Sequence, residues 1–429
     1  MGLGPRRRGR GGDHQDAGLD RGRNAGRHGA DRNDKNRRDR QQRSRANERK
    51  GSNLMGGNPA LGVLFHWLGG FASASFYVPY KRIKLWSWEV FWLAGGIFSW
   101  AVAPWLFASL RTNDLFAVLV QTPGKTLWWC WFWGAMWGFG GLTFGLTMRY
   151  LGLSLGMAVA LGLTTVIGTM GPPIFHGTLG EIASRTSGQL TLLGILVTLV
   201  GIVVVARAGH KKDAELGGEA SEGVAEFDLR KGLLIAVFSG VMSGCFAWGL
   251  DAGQPIRELT LAAGTDPLNQ GLPVLCVVLA GGLTTNAIWC SILIRRNRSF
   301  GQYFGAVADP GAIADPGAGT PHDAHRAKAA KVPLLLNYLL AALGGTLWYF
   351  QFFFYTMGES QMGRYGFSSW TLHMASIILF STLWGFALKE WKGASVRTRT
   401  MVWLGIGLLV GSTVIIGLGN MLDANAAAH

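Results

Sequence analysis

From about residue 59 onward the chain alternates long apolar runs with short polar breaks. A bilayer core of about 30 Å needs about 20 mostly apolar residues per helix. Ten runs of that kind can be marked: 59–79, 88–110, 128–148, 153–175, 189–208, 232–250, 270–294, 333–357, 370–389 and 401–421. One such run could be a core helix of a water-soluble domain, but ten in one chain point to a membrane. Lipid offers no partner for backbone N–H and C=O groups, so each run must close its hydrogen bonds as a helix. The pattern therefore predicts an all-α membrane protein of about ten transmembrane helices. Ten divides into five plus five, and an odd number per half inverts the second half relative to the first. Two inverted five-helix repeats are expected, over residues 55–231 with a cytoplasmic linker and 232–429 with a cytoplasmic loop at 295–332. The internal repeat is faint: the helix pair at 151–208 matches the pair at 369–419 only loosely.

Charge adds an orientation. The loops after odd-numbered runs hold nineteen Lys and Arg, among them Lys81, Arg82, Lys84, Arg295, Arg296 and Arg298. The loops after even-numbered runs hold five: Arg111, Lys125, Arg185, Arg257 and Arg364. The excess puts the odd loops in the cytoplasm and both termini outside. The formal net charge of +15 is misleading here, because residues 1–50 carry 16 of the 40 Lys+Arg and 7 of the 25 Asp+Glu. Residues 1–54 form a basic tail that is nearly free of large apolar side chains and cannot bury a core. It has no apolar h-region, so it is not a signal peptide. It reads as a solvated tail, or as sequence upstream of a true start at Met55, in preference to a tether for nucleic acid or anionic lipid.

Composition narrows the chemistry. Charged residues make up 15% of the chain, against about a quarter in soluble domains. Cys130, Cys245, Cys276 and Cys290 sit inside apolar runs without a CxxC or Cys/His spacing, so neither disulfides nor a metal are expected. There is no Walker loop, nucleophile elbow or HExxH, which argues against an enzyme and against any nucleotide cofactor. Uptake would then draw on an ion gradient.

Several stretches carry more specific information: FHWLGGFASASFYVPYKRIKLWSWE (65–89), GAMWGFGGLTFGLTMRYLGLSLG (134–156), LGGTLWYFQFFFY (343–355), SSWTLHM (368–374) and LKEW (388–391). Together they resemble the L-rhamnose–proton symporter family of the drug/metabolite transporter superfamily. The resemblance runs from about residue 60 to 420 and leaves out the tail and the Pro/Gly-rich insert at 308–325. It implies ten helices and proton-coupled uptake of a six-carbon deoxysugar across the inner membrane, with sugar, proton and bilayer as partners and no nucleic acid. A carrier of another sugar or metabolite, including an exporter, would have the same fold. A membrane sugar sensor, binding without flux, is the reading from another class.

Polar side chains inside spans are costly and so become candidates. His66, in run 1, could bind a sugar hydroxyl or take the coupling proton, or could be tied to a neighbouring helix. Glu89, opening run 2, could carry the proton or simply complement a helix N-terminus. Gln351 and Tyr349 lie deep in run 8, beside Trp348 and Tyr355, and combine an amide with aromatic faces. Trp370 and His373 form a similar pair in run 9. Asn286, in run 7, can satisfy its amide only by facing protein or water. Arg149 reads as a snorkelling anchor. Asp251 and Glu359, at external helix ends, rank below the others.

Overall fold

The computed structural model describes residues 57–216, 229–307 and 331–428. The expectations for the 1–54 tail and the 308–325 insert fall outside them. Among the described residues all regular structure is helical. Seven helices are long and apolar enough to cross a membrane by length and composition. They are α1 (Pro59–Tyr80), α2 (Trp88–Arg111), α5 (Thr186–Lys212), α6 (Arg230–Ala262), α7 (Pro267–Arg296), α9 (Gly363–Ala387) and α10 (Val396–Asp423). A further helix of 27 residues, α8 (Leu334–Ser360), falls between α7 and α9. Its apolar character is diluted by Asn337, Gly344, Gly345, Tyr349 and Gln351, all of them buried.

Helical hydrogen bonding also runs through 52 residues from Gly124 to Phe175. This run is not one rod. Trp248 packs its ring 5.5 Å from Trp133 and also lies 2.6 Å from where a Cβ on Gly171 would sit. In a straight helix residues 133 and 171 would be about 57 Å apart. Lower down, Ser239 donates to the Gly140 carbonyl at 3.0 Å and Thr164 donates to the Gly240 carbonyl at 3.3 Å. At the far end, Leu151 and Tyr150 meet Gly232. The run therefore doubles back near residues 150–151. Its two arms, α3 (124–150) and α4 (151–175), flank α6. They correspond to the runs expected at 128–148 and 153–175, joined without a non-helical loop.

Local sequence explains the helix boundaries that matter for the site. Asn58 caps α1 by accepting from the Ala60 and Leu61 amides at 3.1 and 3.2 Å, with Pro59 in the first turn. In α2, Pro104 has no N–H to return to the Trp100 carbonyl one turn back. The helix widens there into a π-helical turn, Phe98–Val102. The outward faces are apolar and the inward ones small or polar. On α1, Leu64, Leu68 and Phe71 are exposed while Gly62, His66, Gly69, Gly70 and Ser73 are buried. On α5, Leu193, Leu196, Val200 and Val203 are exposed while Thr191 and Thr198 are buried. That is the reverse of a water-soluble helix and suits a lipid surround.

Small residues set how closely the helices approach. A Cβ on Gly69 would stand 2.9 Å from the Gln351 carbonyl, and one on Gly345 would collide with the backbone of Gly95. Helix α8 thus lies against α1 and α2, where few large side chains could fit, and carries its polar residues into the interior.

Candidate functional site

Three titratable acid or imidazole groups are almost fully buried among the described residues: His66, Glu89 and His373. The two histidines are neighbours. Their ring centroids are 6.4 Å apart, and Tyr355 lies edge-on to both at 5.4 and 5.3 Å. Trp370 closes the group, 5.7 Å from Tyr355 and 6.3 Å from His373. Its indole N–H is already committed to the Thr164 carbonyl at 3.0 Å, so it acts as a wall. None of the four histidine ring nitrogens has a partner within the chain, and neither has Gln351 Nε2. Gln351 sits on α8 one turn before Tyr355 and beside Gly69 of α1. Leaving a buried polar atom unpaired costs about 1–3 kcal/mol, so five in one region mark a place built for a polar visitor.

The expected site residues therefore separate into groups. His66, His373 and Trp370 come together around Tyr355, from α1, α8 and α9. Tyr349, although on the same helix as Tyr355, points elsewhere and stacks on Phe107 at 5.6 Å. Six residues turn a helix by about 600°, or 240° net, which puts 349 and 355 on different faces. Asn286 is fully engaged: its Oδ1 accepts from the Trp92 indole at 3.0 Å and its Nδ2 donates to the Gly282 carbonyl at 2.9 Å. It ties α7 to α2. The Arg149 side chain falls outside what is described.

Glu89 forms a separate cluster in the first turn of α2. Its Oε1 accepts from Ser299 at 2.8 Å and Asn297 at 3.1 Å, both just beyond the end of α7. Gln302 completes the contact by accepting from the Ser87 amide at 2.7 Å and the Trp86 indole at 2.9 Å. The carboxyl group is met by neutral donors and the helix N-terminus, with no ion pair among the described residues. Both sequence readings of Glu89 survive this geometry, since a helix-capping carboxylate without a counter-ion can also take up a proton.

Sequence reasoning missed two features. Arg257, counted as a loop cation, lies on a short helix (Gln254–Ala262) and donates through Nη2 to Glu359 at 2.7 Å. The pair is largely buried, at 13% and 17% exposure. Asp251 meets His176 at 2.8 Å. Tyr355 was named only as a neighbour of Gln351. The signal for it was there, because Gln351, Tyr355 and Glu359 recur every fourth residue and form a single stripe on α8.

Apolar exteriors around a polar, closely packed interior, with unpaired donors and acceptors at its centre, define a multi-pass helical membrane protein of the transporter type. Comparison with known proteins makes this specific. A family model described as L-rhamnose-proton symport protein matches residues 55–314 and 324–422. Curated proteins named L-rhamnose-proton symporter, from Cronobacter sakazakii, Salmonella paratyphi B and Salmonella newport, are each 37% identical over 360 residues. Each alignment covers 84% of this chain and 97% of the relative. The chain belongs to the L-rhamnose-proton symport protein family. Its relatives are named as transporters, not enzymes.

Proposed function

We propose that the chain is a secondary transporter that takes up L-rhamnose, or a closely related deoxysugar, together with a proton across the inner membrane. The observation that carries this reading is the group of unpaired polar atoms on His66, His373 and Gln351 between α1, α8 and α9, within a chain of this family. Sugar hydroxyls can both donate and accept, which matches imidazole nitrogens and an amide. Tyr355 and Trp370 supply flat apolar walls for the ring. The proton is carried by one of two groups, the histidine pair or Glu89.

The arrangement that serves this is ten membrane helices in two inverted halves, α1–α5 and α6–α10, with both termini outside. The helix pairings support it, because they persist when each helix n is exchanged for n+5. Helix α1 meets α8 and α9, through Gly69 with Gln351 and Gly70 with Ser376. Its counterpart α6 meets α3 and α4, through Ser239 with Gly140 and Thr164 with Gly240. Helix α2 meets α8 at Gly95 and Gly345, as α7 meets α3, where Thr285 donates to the Ala135 carbonyl at 2.9 Å. The remaining pairs map onto themselves. They are α5 with α10 (Thr198 to Ser412, 2.8 Å), α2 with α7 (Trp92 to Asn286) and α4 with α9 (Thr169 with Thr371, 2.8 Å). Rocking one half against the other would expose a central site to each side in turn.

A proton falling through 100 mV releases about 2.3 kcal/mol, enough for roughly 50-fold accumulation at one-to-one coupling. The test is uptake of labelled L-rhamnose into vesicles, with and without an inward proton gradient. Accumulation should require the gradient and collapse with a protonophore. Accumulation that survives the protonophore but needs sodium would refute the coupling, and absence of uptake of any deoxysugar would refute the substrate class.

A further inference from the structure

A second group of unpaired polar atoms lies one turn along α8 from Gln351, in a cleft between α1, α2 and α8. Phe76, Tyr80 and Trp92 form its aromatic sides, and Ser99, Trp100 and Trp348 face into it. Ser99 and Trp100 are 2% and 3% exposed, and both lie in the π-helical turn. Ser99 Oγ, Trp100 Nε1 and Trp348 Nε1 have no partner within the chain.

The fold does not leave indoles unpaired as a habit. Trp86, Trp92, Trp131, Trp248, Trp370 and Trp384 all donate to an oxygen at 2.9–3.3 Å. Among buried indole nitrogens of the described residues, only those of Trp67, Trp100 and Trp348 lack an acceptor, and two of the three meet in this cleft. An indole N–H can only donate, so the missing partner is an acceptor oxygen. Indole faces beside it favour a flat apolar surface. A pyranose offers both at once, hydroxyl oxygens around its rim and C–H groups on its faces. As the side chains stand, the cleft has room for about one water, so a sugar ring enters only when Trp100 and Trp348 move apart. A π-helical turn suits this, being held less tightly than regular α-helix and common at functional positions.

We propose that this cleft is a second sugar-binding station, one helical turn from the histidine group, with Trp100, Trp348 and Ser99 hydrogen-bonding the sugar. It rests on the sugar-transport reading above, and gives the pathway two successive sites instead of one.

The test is sugar counterflow in proteoliposomes holding the full chain, with no proton gradient. W100F and W348F keep an aromatic face but lose the N–H. Each should raise the half-saturating L-rhamnose concentration about 5- to 30-fold, the usual effect of one buried hydrogen bond. W67F, which removes the third unpaired indole N–H at a site away from the cleft, should stay within two-fold. As a check independent of flux, S99C should react with a membrane-permeant maleimide, and saturating L-rhamnose should slow that reaction at least five-fold. W100F and W348F both within two-fold of the native chain, or S99C labelling unaffected by sugar, would overturn the second station while leaving transport established. A native chain with no L-rhamnose counterflow would overturn the transport reading and this proposal with it.

Discussion

The Arg257–Glu359 pair offers the sharpest test of the packing argument, because its geometry sets the size of the effect. Two unit charges about 4 Å apart attract by about 4 kcal/mol at the effective dielectric of a protein surface layer, before desolvation is counted. The pair spans 102 residues of sequence and pins the short helix after α6 to the last turn of α8. Removing one partner leaves the other charge largely enclosed, which costs about 3–5 kcal/mol at a fully buried site. With 13% and 17% of the side chains still exposed, solvent recovers part of that. R257M and E359Q should therefore each destabilise by about 2–3 kcal/mol, and the double variant by only about 1–2, because it leaves no stranded charge. The coupling, about 3 kcal/mol, is read from equilibrium unfolding in mixed micelles followed by far-UV circular dichroism. It should fall little between 0.1 and 1 M salt, since a buried pair is poorly screened. A double variant whose loss equals the sum of the single losses would refute the claim that the two side chains act as a unit.

Four further outcomes are expected. G345A should reduce folded protein and thermal stability sharply, because its Cβ meets the backbone of Gly95 with no flexible side chain to give way; a melting profile like the native one would contradict the close α2–α8 contact. Q351A should raise the half-saturating sugar concentration about 5- to 30-fold, as judged by counterflow. If Glu89 carries the proton, E89Q should abolish accumulation and leave exchange between preloaded vesicles intact, whereas H66A does so if the histidine pair carries it; variants that both accumulate normally would remove both candidates. Glu215 caps α10 from α5, accepting from the Ser395 amide and the Ser395 and Thr398 hydroxyls at 2.7 Å, and these bonds hold its carboxyl down at about 2. A depressed pKa stabilises only when the group is ionised, so hydrogen-exchange protection at Ser395 and Thr398 should be full above about pH 4.5 and lost as pH falls toward 2. Protection unchanged across that range would refute it, and E215Q should abolish the pH dependence.

The helices were legible because hydropathy is a local property. The run expected at 333–357 coincides with Leu334–Ser360 and that at 88–110 with Trp88–Arg111. The turn near residue 150 was foreseen as a break at Arg149, but its helical character was not, since a tight reversal leaves no Pro or Gly-rich signature in MRYLG. The site was legible only in residue type. A polar residue in a span must face inward, and His66, His373, Gln351, Asn286 and Glu89 all do. Which inward-facing group is left without a partner depends on contacts far apart in sequence. Asn286 is satisfied by Trp92, 194 residues away, while His66 and His373 meet each other and find none. Arg257 and Glu359, judged one at a time, looked like ordinary helix-end charges, and only their pairing gives them weight.

The absence of a slack connection between α3 and α4 bears on how this chain can drift in length. A reversal made within continuous helical hydrogen bonding grips α6 from both sides, so one added residue would rotate everything after it by about 100° and carry the contacts of Trp133 or Gly171 off Trp248. The family match runs unbroken through 124–175 and is interrupted at 315–323. Insertions and deletions in this lineage are thus confined to the segment after α7, where added residues disturb no helix register. A tag or reporter domain spliced into this protein should be tolerated there and rejected at residue 150.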